Sequence, residues 1–85
     1  MRFVGEAVIV DTDSALIYLG KLKAVEEDFV LLTEVDVHDR HEGPSTKEQY
    51  VMEAKRFGIH VNRKEVSIRK SLVVSVSKLD DVILY

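Results

Sequence analysis

The stretch Ala15–Val37, ALIYLGKLKAVEEDFVLLTEVDV, constrains the fold more than any other part of this chain. Two apolar runs rich in branched residues flank the acidic triplet Glu26-Glu27-Asp28. Leu16, Tyr18, Gly20, Leu22 and Ala24 share one parity in the first run; Phe29, Leu31, Thr33, Val35 and Val37 share one in the second. Side chains alternate faces along a strand, so each run offers one mostly apolar face, and the polar link reads as a hairpin turn. Gly20 in mid-strand weakens pairing but lets the strand bend sharply, or lets another backbone come close. A bent hairpin of this kind is where a small barrel starts.

The rest of the chain must complete that barrel with little material. Eighty-five residues make one domain, 1–85, because a second core would have too little chain to bury. A domain of this size buries only about 60–65% of its unfolded surface, so packing or partner subunits must supply stability. Cysteine is absent, which excludes disulfides and thiolate metal sites. No apolar run approaches the roughly 20 residues of a membrane span, and the opening residues Met1-Arg2-Phe3-Val4-Gly5-Glu6 lack a signal-peptide core. The expectation is a soluble, cytoplasmic protein with no membrane partner.

Along the chain, Phe3–Val10 reads as a first strand and Asp11-Thr12-Asp13-Ser14 as a turn closed by short polar side chains. After the hairpin, which fades at His38-Asp39, the segment from Arg40 to Pro44 breaks into a loop. Residues 46–57 then carry apolar Tyr50, Val51, Ala54 and Phe57 at helical spacing. Ser45 and Glu48 suit a capping box before that helix, and Gly58 suits its C-terminal cap. A helix so short is marginal alone, so its stripe of Tyr50, Ala54 and Phe57 should pack on its own barrel or a neighbour. If the Phe57 ring is buried, Phe57→Ala should cost about 3–5 kcal/mol. Ile59-His60-Val61 is a short extended piece before a turn at Asn62-Arg63. In residues 66–79, Val66, Ile68, Leu72, Val74 and Val76 share a parity, and a bend near Arg69-Lys70-Ser71 splits them into two strands. The sum is a mainly β protein: five strongly bent antiparallel strands in a small barrel, with one helix in an insert at about 40–63.

Charge is unevenly placed within a net −3. Residues 1–54 hold five Lys/Arg against twelve Asp/Glu, whereas residues 55–70 hold six basic residues against Glu65. Arg63-Lys64 and Arg69-Lys70 form a basic cluster that could contact phosphate, or that simply meets acidic groups such as Asp28 from a neighbouring subunit. Single-strand binding usually adds aromatic platforms, for which Tyr18, Tyr50, Phe57 and Tyr85 are the candidates, although Tyr18 and Phe57 have the pattern of core residues. His38, Asp39, His41 and Glu42, with Asp36 near, carry metal-ligating groups, but beside Gly43-Pro44 the run reads as a loop whose ligand geometry is not preset, so no metal is expected. His60 reads as a strand-edge or packing residue. No Ser/His/Asp set or phosphate loop is recognisable, and the triplet 26–28 reads as a solvated turn, so neither an enzyme nor a cofactor is expected.

Two segments resemble a known family. Gly20-x-Leu22 with a nearby acidic residue and the run Phe29–Val37 resembles the first motif of the Sm and Sm-like RNA-binding proteins. Ser67-Ile68-Arg69-Lys70-Ser71-Leu72-Val73-Val74-Ser75-Val76 resembles the second, whose core is an Ile-Arg-Gly turn. The resemblance implies a bent five-stranded barrel. It also implies a homo-oligomeric ring of five to seven subunits, closed by pairing the fourth strand of one subunit with the fifth of the next, and single-stranded RNA at the pore. The sequence departs from the family's pattern at the base. Glu26 stands at the family's aspartate, Asp28 at the residue that stacks on the base, Phe29 at the methionine and Val30 at the asparagine that reads the base. Arg69 matches the arginine and Lys70 replaces the glycine. Two functions follow as expectations: a ring that binds RNA weakly through Arg69, Lys70, Arg63 and Lys64, or a scaffolding ring that has lost base recognition and meets protein partners through its inserted helix.

Overall fold

The computed structural model describes residues 3–39, 41 and 46–84. The central hairpin is present, as β2 (Leu16–Val25) and β3 (Phe29–Asp39). β1 (Ala7–Thr12) pairs with β2, β4 (Arg63–Arg69) with β3, and β5 (Val73–Lys78) with β1, all antiparallel. The order β4-β3-β2-β1-β5 leaves β4 and β5 as the two edges of one sheet. That sheet curls over a single apolar cluster of Val8, Val10, Leu22, Val30, Leu32, Val35 and Ile68, against which Val73 and Val76 of β5 also pack.

Gly20 is where β2 bends against its neighbour β3. A Cβ at this position would stand 3.1 Å from the Thr33 carbonyl oxygen, 3.2 Å from Val35 Cγ2 and 3.3 Å from Val35 Cα. Two register shifts flank the site, with one extra residue on β3 between Thr33 and Asp36 and one on β2 between Leu22 and Ala24. The β3 bulge sits at Glu34, whose φ of 53° is left-handed, a region that costs a residue with a Cβ roughly 1 kcal/mol or more.

That bulge corrects the parity expected for β3. Before it the buried residues are Val30 and Leu32, and after it Val35, while Phe29, Leu31 and Thr33 are only half-buried. An extra residue moves every later side chain to the other face. Three boundaries also shift. The first strand begins at Ala7 rather than Phe3, because residues 3–5 form a turn with Gly5 at φ 91°. It runs on through Thr12, whose hydroxyl donates to the Leu16 carbonyl at 2.7 Å. Past the 3-10 turn Lys70–Leu72, Val73 and Val76 turn inward, whereas Leu72 and Val74 are exposed.

The inserted helix, α1 (Lys47–Phe57), covers the outer face of β1 and β2. Ile9, Ile17 and Leu19 are buried beneath Val51 and Ala54. The capping box lies one residue later than expected: Thr46 accepts from the Gln49 amide at 3.1 Å and the Gln49 side chain accepts from the Thr46 amide at 3.0 Å. Ser45 lies outside the described residues, as do Arg40, Glu42, Gly43, Pro44 and Tyr85. Gly58 caps the C-terminus at φ 90°, as the sequence implies. Lys55 does more than oppose the helix dipole, for its ammonium donates to the Asp80 carbonyl at 2.6 Å and to the Val82 carbonyl.

Phe57 departs from the expected stripe. Tyr50 and Ala54 pack, but the Phe57 ring is 82% exposed. It is the last helical residue, and beyond the Gly58 cap it is Ile59, not Phe57, that packs on the cluster beneath the helix.

Two stability measurements test this packing. Thermal and urea unfolding should show Gly20→Ala destabilised by about 1–3 kcal/mol, since the added methyl meets backbone atoms and a fully buried valine; equal stability would mean the strands can separate there. Val51→Ala should cost about 2 kcal/mol, whereas Phe57→Ala should change the stability of the isolated chain by less than about 0.5 kcal/mol.

Candidate nucleic-acid and partner interface

At one end of the sheet the β2–β3 turn meets the β4–β5 turn. The Glu26 amide donates to the Phe29 carbonyl and the Lys70 amide donates to the Asp28 carbonyl, both at 2.8 Å. Phe29 is the register partner of Arg69, whose guanidinium carbon lies 5.5 Å from the Phe29 ring centroid. Arg69, Lys70 and Asp28 are exposed, while Val30 is buried in the barrel. The structure therefore gathers Asp28, Phe29, Arg69 and Lys70, as two turns of one antiparallel sheet must.

It does not gather the four cations. Arg63 and Lys64 begin β4 and Arg69 ends it, a separation of about 20 Å in an extended strand. The Arg63 guanidinium donates to the Asn62 carbonyl at 2.9 Å. The basic cluster read from the sequence is thus two separate pairs. At the turn end two cations, Arg69 and Lys70, and three carboxylates, Glu26, Glu27 and Asp28, sit on adjoining turns, so the local balance is acidic. The ion pairs formed by the described residues, Lys23–Glu65, Lys47–Asp11 and Lys78–Glu6, lie elsewhere.

A second site lies beneath α1 and was not legible in the sequence. Asp36 pairs across the sheet with Leu19, and His38 with Ile17, so the Glu34 bulge places both on the face that α1 covers. The His38 ring stacks on Tyr50, with centroids 3.8 Å apart and planes 13° from parallel. His38 Nε2 and the Tyr50 hydroxyl are both closed to water, and the His38 nitrogen makes no hydrogen bond among the described residues. Burial first, and then the Asp36 carboxylate, raise the Tyr50 pKa well above the usual phenol range. Asp36 itself is 7% exposed and accepts from the Asn62 amide at 2.9 Å. The same amide group donates to the Val37 carbonyl and accepts from the Val37 amide, both at 3.1 Å. Asn62 thus continues the pairing of β4 with β3 rather than making the expected turn. A pocket of about 210 Å³ opens over this group, lined by Asp36, Tyr50, Glu53, Ala54, Phe57, Gly58 and His60.

Asp39 and His41, from the candidate metal segment, are linked by a 2.9 Å bond from the His41 amide to the Asp39 carboxylate. Among the described residues no three histidine or carboxylate side chains converge on a point. No helix among the described residues is long and apolar enough to cross a membrane.

No protein-family model matches the sequence, and neither does any curated protein. Solved structures do match. The Sm protein of Pyrococcus abyssii in complex with a uridine heptamer is 15% identical, with a TM-score of 0.62 over 91% of this chain and 87% of that one. A chain of the NatC complex bound to CoA is 23% identical, with a TM-score of 0.56 over 87% of this chain and 75% of that one. A chain of the NatC complex bound to Gag peptide and CoA is 22% identical, with a TM-score of 0.57 over 88% and 83%. At these identities the likeness is one of backbone. The chain has an Sm-like fold, carrying a helix between its third and fourth strands.

Proposed function

We propose that this chain is a non-enzymatic protein-assembly module, a scaffolding Sm-like ring subunit whose strand edges carry the contacts. The observation behind this reading is the sheet order, which ends in β4 on one side and β5 on the other. Edge strands present unpaired backbone groups that a second chain can satisfy. Pairing β4 of one copy with β5 of the next is a head-to-tail contact, and such contacts close into rings when the rotation allows. On β5, Val74 is 68% exposed beside a chain too small to bury it alone. The likeness to chains of NatC, a protein complex, is in keeping with such a role. Five to seven copies is the size that the Sm resemblance suggests, with the cytoplasm as the place of action.

A second reading, weak RNA binding, is favoured by one feature, the exposed pair Arg69 and Lys70 beside Phe29. The likeness to an Sm protein in complex with a uridine heptamer points the same way. Three features oppose a uridine pocket. Asp28 offers no flat face for stacking, which is worth about 1–3 kcal/mol per base. Val30 is buried and has no polar side-chain atom to pair with a base edge. The three turn carboxylates repel phosphate. What remains is charge attraction through Arg69 and Lys70, with Arg63 and Lys64 a strand's length away. Such attraction is indifferent to sequence and falls steeply with salt.

Light scattering after gel filtration should give a mass several times the 9.7 kDa of one chain. A monomer at micromolar concentration overturns the assembly reading. Fluorescence anisotropy with oligo-uridine and oligo-adenosine at two salt concentrations should show weak, salt-sensitive binding without strong uridine preference, reduced further by Arg69→Ala. Tight, salt-resistant, uridine-selective binding would instead make this a base-reading protein.

A further inference from the structure

The pocket beneath α1 has the makings of a receptor for a positive charge. Its floor carries Asp36, a carboxylate almost wholly withdrawn from water. That carboxylate interacts with the Asn62 amide on Oδ1 and with the Tyr50 hydroxyl, and among the described residues it has no cation. A buried carboxylate without a countercharge draws a cation that can reach it. The wall adds Glu53, and neither lysine nor arginine lines the pocket. The Tyr50 hydroxyl beside it is closed to bulk water and lies against the same carboxylate. At the rim stands the largely exposed Phe57 ring.

We propose that this pocket binds the cationic side chain of a partner protein, an arginine, with its guanidinium drawn to Asp36 and Glu53 and its flat face against Phe57. Arginine fits each part. Its planar fork matches carboxylate oxygens, it stacks on aromatic rings, and it gives up water more readily than an ammonium does. A divalent metal fits poorly, because no three histidine or carboxylate groups converge among the described residues. An RNA phosphate is excluded by the pocket's sign. The proposal deepens the reading of this chain as a module for protein contacts and uses neither strand edge.

The test is an amide-resolved NMR titration of the full chain with blocked tripeptides, glycine-arginine-glycine against its lysine and glutamate counterparts. The arginine peptide should move the signals of Glu53, Phe57, Gly58 and His60 in a saturable way, the lysine peptide more weakly and the glutamate peptide not at all. Asp36→Asn and Glu53→Gln should each weaken arginine binding by about tenfold. Phe57→Ala should reduce the advantage of arginine over lysine. Glu53 and Phe57 are exposed, so their variants keep the fold even if the Asp36 variant does not. Absence of a saturable shift at these signals overturns the proposal. So does a glutamate response equal to that of arginine, or arginine binding that Glu53→Gln leaves unchanged. The titration requires no assembled ring, so a monomeric chain that binds arginine would retire the strand-edge reading alone, and an assembled one that ignores arginine would retire this proposal alone.

Discussion

The missing side chain at Gly20 is the constraint on which the rest of the sheet depends. The backbone of β3 passes so close that any Cβ there would press on the Thr33 carbonyl and on Val35. Such an approach lets β2 and β3 bend together, and residues from β1, β2, β3 and β4 share one cluster on the inner face. The adjacent bulge at Glu34 takes up the extra length of the outer strand. Its left-handed φ is a local strain that persists because the surrounding sheet over-determines it.

Curling leaves a second face to cover. β1 and β2 bury residues on both sides: Val8, Val10 and Leu22 inside, Ile9, Ile17 and Leu19 outside. Among the described residues there is no second sheet to lay over that outer face, and α1 does the covering. A helix of 11 residues has little stability of its own in water. It is held by Val51 and Ala54 below, by the Thr46–Gln49 capping box at one end, and by Lys55 reaching the carbonyls of Asp80 and Val82 at the other. The insert is therefore half of the packing.

Much of this was legible in the sequence because it rests on local chemistry. The hairpin followed from two apolar runs around an acidic triplet, Gly20 from its place in mid-strand, and the helix end from Gly58. What failed did so for identifiable reasons. Strict alternation misplaced Phe29, Leu31 and Thr33 because a bulge carries no signature when its left-handed residue is Glu34 and not glycine. The cap slipped from Ser45 to Thr46 because the two hydroxyls are equivalent in sequence, as are Glu48 and Gln49 in reach. Phe57 shared the helical period of Ala54, but periodicity says nothing about where the underlying surface ends. The pocket beneath α1 stayed hidden because Asp36 and Asn62 lie 26 residues apart and meet only through register.

The distribution of charge then separates the fold from the function commonly built on it. An Sm-like backbone brings the β2–β3 and β4–β5 turns together whatever residues they carry, since register alone makes neighbours of Phe29 and Arg69. Whether a base can lie between the turns depends on the side chains, and here the turn side chains hold three carboxylates against two cations. Negative charge recurs beneath α1, where Asp36 and Glu53 line a pocket without lysine or arginine. The turn end and the pocket thus both have a sign that repels phosphate and attracts cationic protein surface. Backbone likeness to an RNA-bound Sm protein is compatible with this, because fold is fixed by the apolar positions inside the sheet while partner choice is fixed by the charged positions around it.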